Sequence, residues 1–280
     1  MKTDNQNKIL LIGDLIVVEY LYGSISGINK NNGSIEIDRD NSEIKGEGII
    51  NIAKGIASRG LKCDVIGACG SDTASRILQE ELVSSSIDPD NLIIIPEGKT
   101  DLYTRIKSGN KEICEIRNVS KKAVNDSVLI DKISGNYKEK YIGLNTIFLD
   151  LDGFKRMSGI DINIDPDKND IEIFALSLID KYKIGEVIIY LGIYGAFRII
   201  KGSEILYMPG YDNASVDQTG SRNSFVATYI SSIISGGSPE GSLKISNISS
   251  SITSKYIGEF IPDLSEIVEF MSILDKNGED

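Results

Sequence analysis

The stretch GEGIINIAKGIASRGLKCDVIGACGSDTASRILQEELVSSS, residues 46–86, holds one full period of an alternating architecture. Residues 46–60 read as a helix, because Ile49, Ile52, Ala53, Ile56 and Ala57 recur at three- and four-residue spacing. Gly60 ends it, since glycine after the last periodic residue is a helix stop. CDVIGAC, 63–69, is a short apolar run of strand length. Residues 73–86 return to helical spacing, with Ile77, Leu78 and Leu82 inward.

The same alternation extends both ways. KILLIG (8–13) reads as a buried strand, and 15–25 and 33–39 as short β-like pieces around the loop GINKNNG. NLIIIP (91–96) is another strand. LYTRIKSGNKEICEIR (102–117) alternates around a turn at SGNK and predicts a hairpin. With the 15–39 pieces it suggests a small β sheet standing off the main body. Further on, 146–153 reads as a strand, 171–182 as a helix, 186–192 as a strand and 196–209 as a hairpin. A core helix is expected over 221–237, with Phe225, Val226, Tyr229, Ile230, Ile233 and Ile234 inward. Two more helices fall at about 239–256 and 263–274. Strands alternating with helices imply an α/β fold with a mainly parallel sheet, whose ligands bind beyond the carboxyl ends of the strands.

Composition removes several functions. Across 280 residues there is no histidine, which excludes a Ser-His-Asp triad, a His-paired cysteine nucleophile and a His-ligated metal. Cys63, Cys69 and Cys114 lack metal-site spacing and read as reduced thiols. A net charge of −11 speaks against nucleic-acid and anionic-membrane partners. No apolar run reaches the roughly 18 residues of a transmembrane helix, and MKTDNQNKILLIGD lacks the pattern of a signal peptide. A cytoplasmic protein is the expectation. With no repeat and no long linker, 1–280 is expected to be one domain, its lid formed by about 15–45 and 100–118.

Glycine-bearing segments stand at the strand–helix junctions: Gly13-Asp14, Gly46-Glu47-Gly48 and Thr219-Gly220, with LGIYGA (191–196) after another strand. Singly each reads as a turn; their order is more specific. ILLIGDLIVVEYLYGSIS, the stretch from GEGIINIAKG to TASRIL, KTDLYTRIKSGNKEICEIR, YLGIYGA and VDQTGSRNSFVATYISSIISGGSPEGSLKISN together resemble the ribokinase-like PfkB carbohydrate kinases. Within that family the similarity is greatest to the kinase domain of heptose-7-phosphate kinase/ADP-heptose synthases, over roughly residues 8–270.

The resemblance implies a ribokinase-like three-layer α/β sandwich with a small β-sheet lid, and transfer of the ATP γ-phosphate to a sugar or phosphosugar hydroxyl. It implies substrate-binding roles for Asp14, Gly48, Asn51 and Arg105, and nucleotide-binding roles for Gly192, Gly195 and Asn247. It implies ATP and Mg²⁺ as cofactors if phosphotransfer operates, with no metal-ligating residue assigned, and a homodimer joined through the lid. At VDQTGSRNSF (216–225) it places an anion hole at Gly220, Ser221 and Arg222, and the catalytic base at Asn223. Helix N-terminal amides suit a developing phosphate charge.

Departures from the family pattern gather at the chemistry. Asn223 replaces the family's acid and cannot accept a proton; loss of a general base costs on the order of 10²–10⁴ in rate. Arg222 replaces a glycine of the anion turn, and its guanidinium could either fill the hole or bind a phosphate itself. Val18 stands where a substrate-binding acid is usual, Glu47 where a glycine is, and Tyr103 where the lid lysine is. Bland alternatives stay open: Asp14 capping a turn, Asn51 as a buried polar residue satisfied by backbone, Arg105 as a solvated hairpin charge, Gly192 and Gly195 as turn residues, and Asp150 and Asp152 as an acidic strand end. Two functions follow: a catalytically impaired ligand-binding or interaction paralogue, or an active ATP-dependent carbohydrate kinase with an altered site.

Overall fold

The computed structural model describes residues 9–109, 111–119, 145–159, 168–211, 215–256, 258 and 260–277. The chain divides into two compact units, Met1–Tyr137 and Lys138–Asp280.

In the first unit, β1 (Ile9–Ile12) pairs in parallel with β4 (Cys63–Ile66). α1 (Ile49–Ala57) lies against both and buries Ile49, Ile50, Ala53 and Ile56. Its inward face is wider than the spacing predicted: Ile50 is buried, while Ile52 and Ala57 are partly exposed. The helix also starts later than 46, because Gly46, Glu47 and Gly48 still pair with Val17, Ile16 and Leu15. The expected strand 63–69 breaks at Gly67, whose carbonyl accepts the Ile93 N–H at 2.9 Å. That passes the chain to β5 (Ala68–Gly70), parallel to β6 (Ile93–Ile95).

α2 (Thr73–Ser84) starts at Asp72, whose Oδ1 accepts the Ser75 N–H at 3.0 Å. The same carboxylate accepts the Thr100 N–H at 2.9 Å and its hydroxyl at 2.7 Å. Burial alone would raise the Asp72 carboxyl, but these donors hold it below its ordinary range.

The remaining strands of this unit form a four-stranded sheet in the order β3-β2-β7-β8. β2 is Leu15–Ile28, β3 Ile35–Gly48, β7 Asp101–Ser108 and β8 Lys111–Asn118. β2 and β7 run parallel; the other two pairings are antiparallel. The short pieces expected at 15–25 and 33–39 are in fact two strands of 14 residues each. Part of the predicted SGNK turn, Asn110, lies outside the described residues.

In the second unit the sheet order is β12-β11-β10-β9. β9 (Thr146–Asp150) and β10 (Glu186–Tyr190) are parallel, while β11 (Gly195–Ile200) and β12 (Leu206–Pro209) complete an antiparallel edge. The run expected to stay extended to 153 turns into α3 (Leu151–Ser158), because Asp150 caps it by accepting the Gly153 N–H at 2.6 Å. α4 (Lys168–Tyr182) packs on β10 and β11, and Phe154, Ile171, Ala175, Val187, Ile189 and Phe197 share one core. α5 (Ser221–Ile234) is buried from Asn223 to Tyr229, with Arg222 exposed, and packs against α6 (Pro239–Thr253), which in turn meets α7 (Leu264–Asn277). Truncating a fully buried ring such as Phe225 to alanine would cost about 3–5 kcal/mol. No helix among the described residues is long and apolar enough to cross a membrane.

Candidate functional site

In the first unit the structure packs Gly48 against the Asp14 backbone, and Asn51 follows in the first turn of α1. Gly48 has φ 75°, and a Cβ there would stand 2.5 Å from the Asp14 carbonyl oxygen. Glycine is therefore required by both backbone conformation and close approach. The Asp14 carbonyl accepts the Ile49 N–H at 3.1 Å, which ties the β1–β2 junction to the start of α1. The residue itself is exposed. Asn51, in the first turn of α1, is buried, and its Nδ2 has no hydrogen-bond partner among the described residues. The alternative in which backbone groups satisfy Asn51 does not hold for that donor.

Arg105 is not a solvated hairpin charge. Its Nη1 donates to Glu47 Oε2 at 3.1 Å and to the Tyr20 hydroxyl at 2.9 Å, and its Nε donates to Glu115 at 2.6 Å. Tyr20 in turn donates to Glu47 Oε1. Burial opposes the guanidinium charge, yet Glu115 and Glu47 more than offset it and raise its pKa. The Tyr20 phenol is pushed well up, first by burial and then by Glu47. Val18 is fully buried, so its side chain serves packing. Tyr103 is half-buried with the Arg117 guanidinium over its ring; burial, then Asp101, with a smaller contribution from Asp14, raise its phenol.

In the second unit, Gly220 takes the left-handed φ of 82° that admits the chain to α5, and no acid occupies the first turn of that helix. Arg222 is engaged by a carboxylate: its Nη1 donates to Asp150 Oδ2 while Asp150 Oδ1 caps α3. Burial would raise Asp150, but the Gly153 N–H and the Arg222 guanidinium hold it below the usual carboxylate range. Asn223 is buried. The nearby Asp217 accepts the N–H groups of Thr219 and Gly258, each at 2.9 Å, and so shapes the turn.

Beside α5 lies a small recess lined in part by Tyr190, Gly192, Tyr211, Ser221, Asn247 and Ser250. It gathers Gly192 and Asn247 with Ser221. The Asn247 Nδ2 donates to the carbonyls of Met208 and Pro209, each at 3.0 Å, which fixes the amide and leaves its buried Oδ1 without a partner among the described residues. The Ser221 Oγ is likewise buried and unsatisfied. A ligand with both donors and acceptors would satisfy the two. Gly195 does not line the recess; a Cβ there would meet the Met208 carbonyl at 2.1 Å, so it serves the β11–β12 contact. Tyr190 and Ser250, hydrogen-bonded to each other, escape sequence reading because an aromatic strand end and a serine-rich helix carry no motif. Among the described residues no three His, Cys, Asp or Glu side chains group for a metal ion.

No family model matches the chain. Two solved structures superpose on nearly all of it. Phosphofructokinase-2 from Escherichia coli, in complex with substrates and products, gives a TM-score of 0.70 at 12% identity, covering 96% of this chain and 99% of that one. Ribokinase from Arabidopsis thaliana, complexed with ribose and ATP, gives 0.67 at 14% identity, covering 95% and 98%. The fold is ribokinase-like. In sequence, the chain is similar to the "Bifunctional protein HldE" of Vibrio vulnificus strain YJ016, 20% identical over 308 residues covering 95% of this chain. The protein of the same name from Rhodopseudomonas palustris strain BisA53 is 35% identical over 100 residues, 36% of this chain. The chain spans 63% of the length of the Vibrio relative and 20% of the Rhodopseudomonas one. The ribokinase-like fold thus joins a sequence likeness to HldE, in agreement with the resemblance read from the motifs.

Proposed function

We propose that this ribokinase-like chain binds a sugar and a nucleotide but is impaired in phosphotransfer. The observation that carries the reading is the first turn of α5: it holds no acid, and the residue at the expected base position is the buried amide Asn223. An amide can orient a hydroxyl but cannot take its proton. The guanidinium of Arg222, committed to Asp150, adds a second obstacle, since an incoming phosphate must compete with that carboxylate. Asp14, Gly48 and Asn51 would hold the sugar, with Arg105 beside them. Gly192, Ser221 and Asn247 would hold the nucleotide, and Gly195 would shape the turn. ATP, when bound, would supply the transferable phosphoryl group.

The whole of 1–280 is read as one cytoplasmic domain, with the four-stranded sheet as its lid and a homodimer joined through it. Exposed Ile25, Ile28, Ile35 and Ile116 on that sheet support the pairing. A monomeric mass by light scattering would sink it. The alternative reading, an active carbohydrate kinase, draws support from the retained Asp14, Gly48 and Asn51.

The deciding experiment compares wild type with the double variant Arg222→Gly/Asn223→Asp. Thermal shifts with ATP and ADP are expected for both proteins, because a ligand that prefers the native state raises stability. Phosphotransfer to a sugar panel is expected to rise by about 10²-fold or more in the double variant. Robust wild-type turnover would establish the alternative.

A further inference from the structure

The register of the four-stranded sheet places its polar residues in rows. Glu47 stands opposite Ile16, which faces Asp101; Lys45 stands opposite Val18, which faces Tyr103; Glu43 stands opposite Tyr20, which faces Arg105. Side chains two apart share a face of a strand, so Glu47, Tyr20 and Arg105 converge on one side. Glu47 is only 6% exposed, and Arg105 donates from Nη1 to Glu47 and Tyr20 and from Nε to Glu115. The next residue after Glu47 is Gly48, packed on Asp14, and the helix that follows carries Asn51 with its unsatisfied buried donor.

The chemistry offered there is specific. Asn51 keeps a buried donor without a partner among the described residues, and a sugar hydroxyl oxygen is an acceptor for such a donor. Arg105, the cation paired with Glu47, already lies between two carboxylates, Glu47 and Glu115. A phosphate ester that paired with Arg105 would have to displace Glu47 and then sit beside that carboxylate. We propose that Glu47 is an internal anion that occupies Arg105 and makes this side of the molecule selective for neutral polyols over their phosphate esters. The inference rests on the reading that Asp14, Gly48 and Asn51 bind a sugar, and it names the class of that sugar and the residue that sets it.

The test uses the full chain and matched probes: ribose, fructose and sedoheptulose, each beside its terminal phosphate ester, with affinity measured by calorimetry. Glu47→Gln keeps the shape and the Tyr20 hydrogen bond while removing the charge. It is expected to raise affinity for the esters by about tenfold or more and to leave the neutral sugars nearly unchanged, because like-charge juxtaposition is relieved. Glu47→Gly, which also clears the space, should do the same, and adding Arg105→Gln to either should abolish the gain. Circular dichroism and urea unfolding establish that each variant is folded. Wild-type protein that binds an ester at least as tightly as its neutral partner would overturn the inference while sparing the sugar-binding reading. So would folded Glu47 variants with unchanged ester affinity. Ester binding by the variants alone, with no sugar bound by wild type, would keep Glu47 as the gate and remove the sugar-binding reading. No binding by any of the proteins would remove both.

Discussion

Each unit holds an arginine paired with a carboxylate near its candidate site, and the two pairs differ in burial. Glu47 and Arg105 have side chains 8% and 17% exposed, with Tyr20 and Glu115 completing the cluster. Asp150 and Arg222 are 25% and 51% exposed. The chemistry is the same; the surroundings are not. Water screens the second pair and leaves its partners able to exchange, whereas the first can be broken only by stranding a charge in the protein. In both pairs a residue that departs from the kinase pattern, Glu47 in one and Arg222 in the other, arrives with its counter-charge in place. The departures are therefore accommodated by the fold and do not disrupt it.

The contrast is broken most directly at Arg105. Arg105→Gln should destabilise the protein by about 3–5 kcal/mol, because Glu47 is left buried without its cation. Urea unfolding measures this, and a loss under about 1 kcal/mol would make the two pairs equivalent. Adding Glu47→Gln should restore much of the loss, since the stranded charge goes with it.

A smaller effect is expected at Asp150. Asp150→Ala removes both the Arg222 partner and the cap of α3, for about 1–2 kcal/mol. Arg222→Ala, which spares the cap, should cost less than about 1 kcal/mol and should lose even that near 1 M salt. The penalty at Arg105 should survive the same salt. If Arg222→Ala costs as much as Asp150→Ala, the capping bond contributes nothing.

The smallest effect concerns pH. The Asp150 carboxyl titrates below its unfolded value, so its stabilisation is fully present above about pH 4 and is lost as pH falls through the native pKa. Arg222→Ala should move the Asp150 titration upward, as followed by carboxyl-carbon NMR. An unmoved titration would mean that the guanidinium contributes nothing to the site's acid response.

The alternation that defines the fold was legible because α1, β4 and α2 bury apolar residues at regular spacing, and a core leaves its period in the sequence. The long β3 was not. Asp40, Asn41, Ser42 and Glu43 are all exposed, so no buried face marks them as a strand; they are held by pairing with β2. The helical turn after Asp150 hid for a related reason, since Leu151 extends the apolar run while the cap that ends the strand is a single side chain. The packing of Gly48 on the Asp14 backbone could be read because a glycine junction has a local signature. The partners of Glu47 and Arg222 could not, because they lie 58 and 72 residues away and a counter-charge has no motif.

The Asp72 carboxylate grips both the start of α2 and the backbone of Thr100, the residue just before β7. A second tie reaches the same sheet from α2, where the Glu81 carboxylate accepts the Gly46 N–H of β3 at 2.6 Å. One helix therefore fastens two strands of that sheet, β3 by Glu81 and the entry to β7 through its cap Asp72, so a change that frays α2 loosens both.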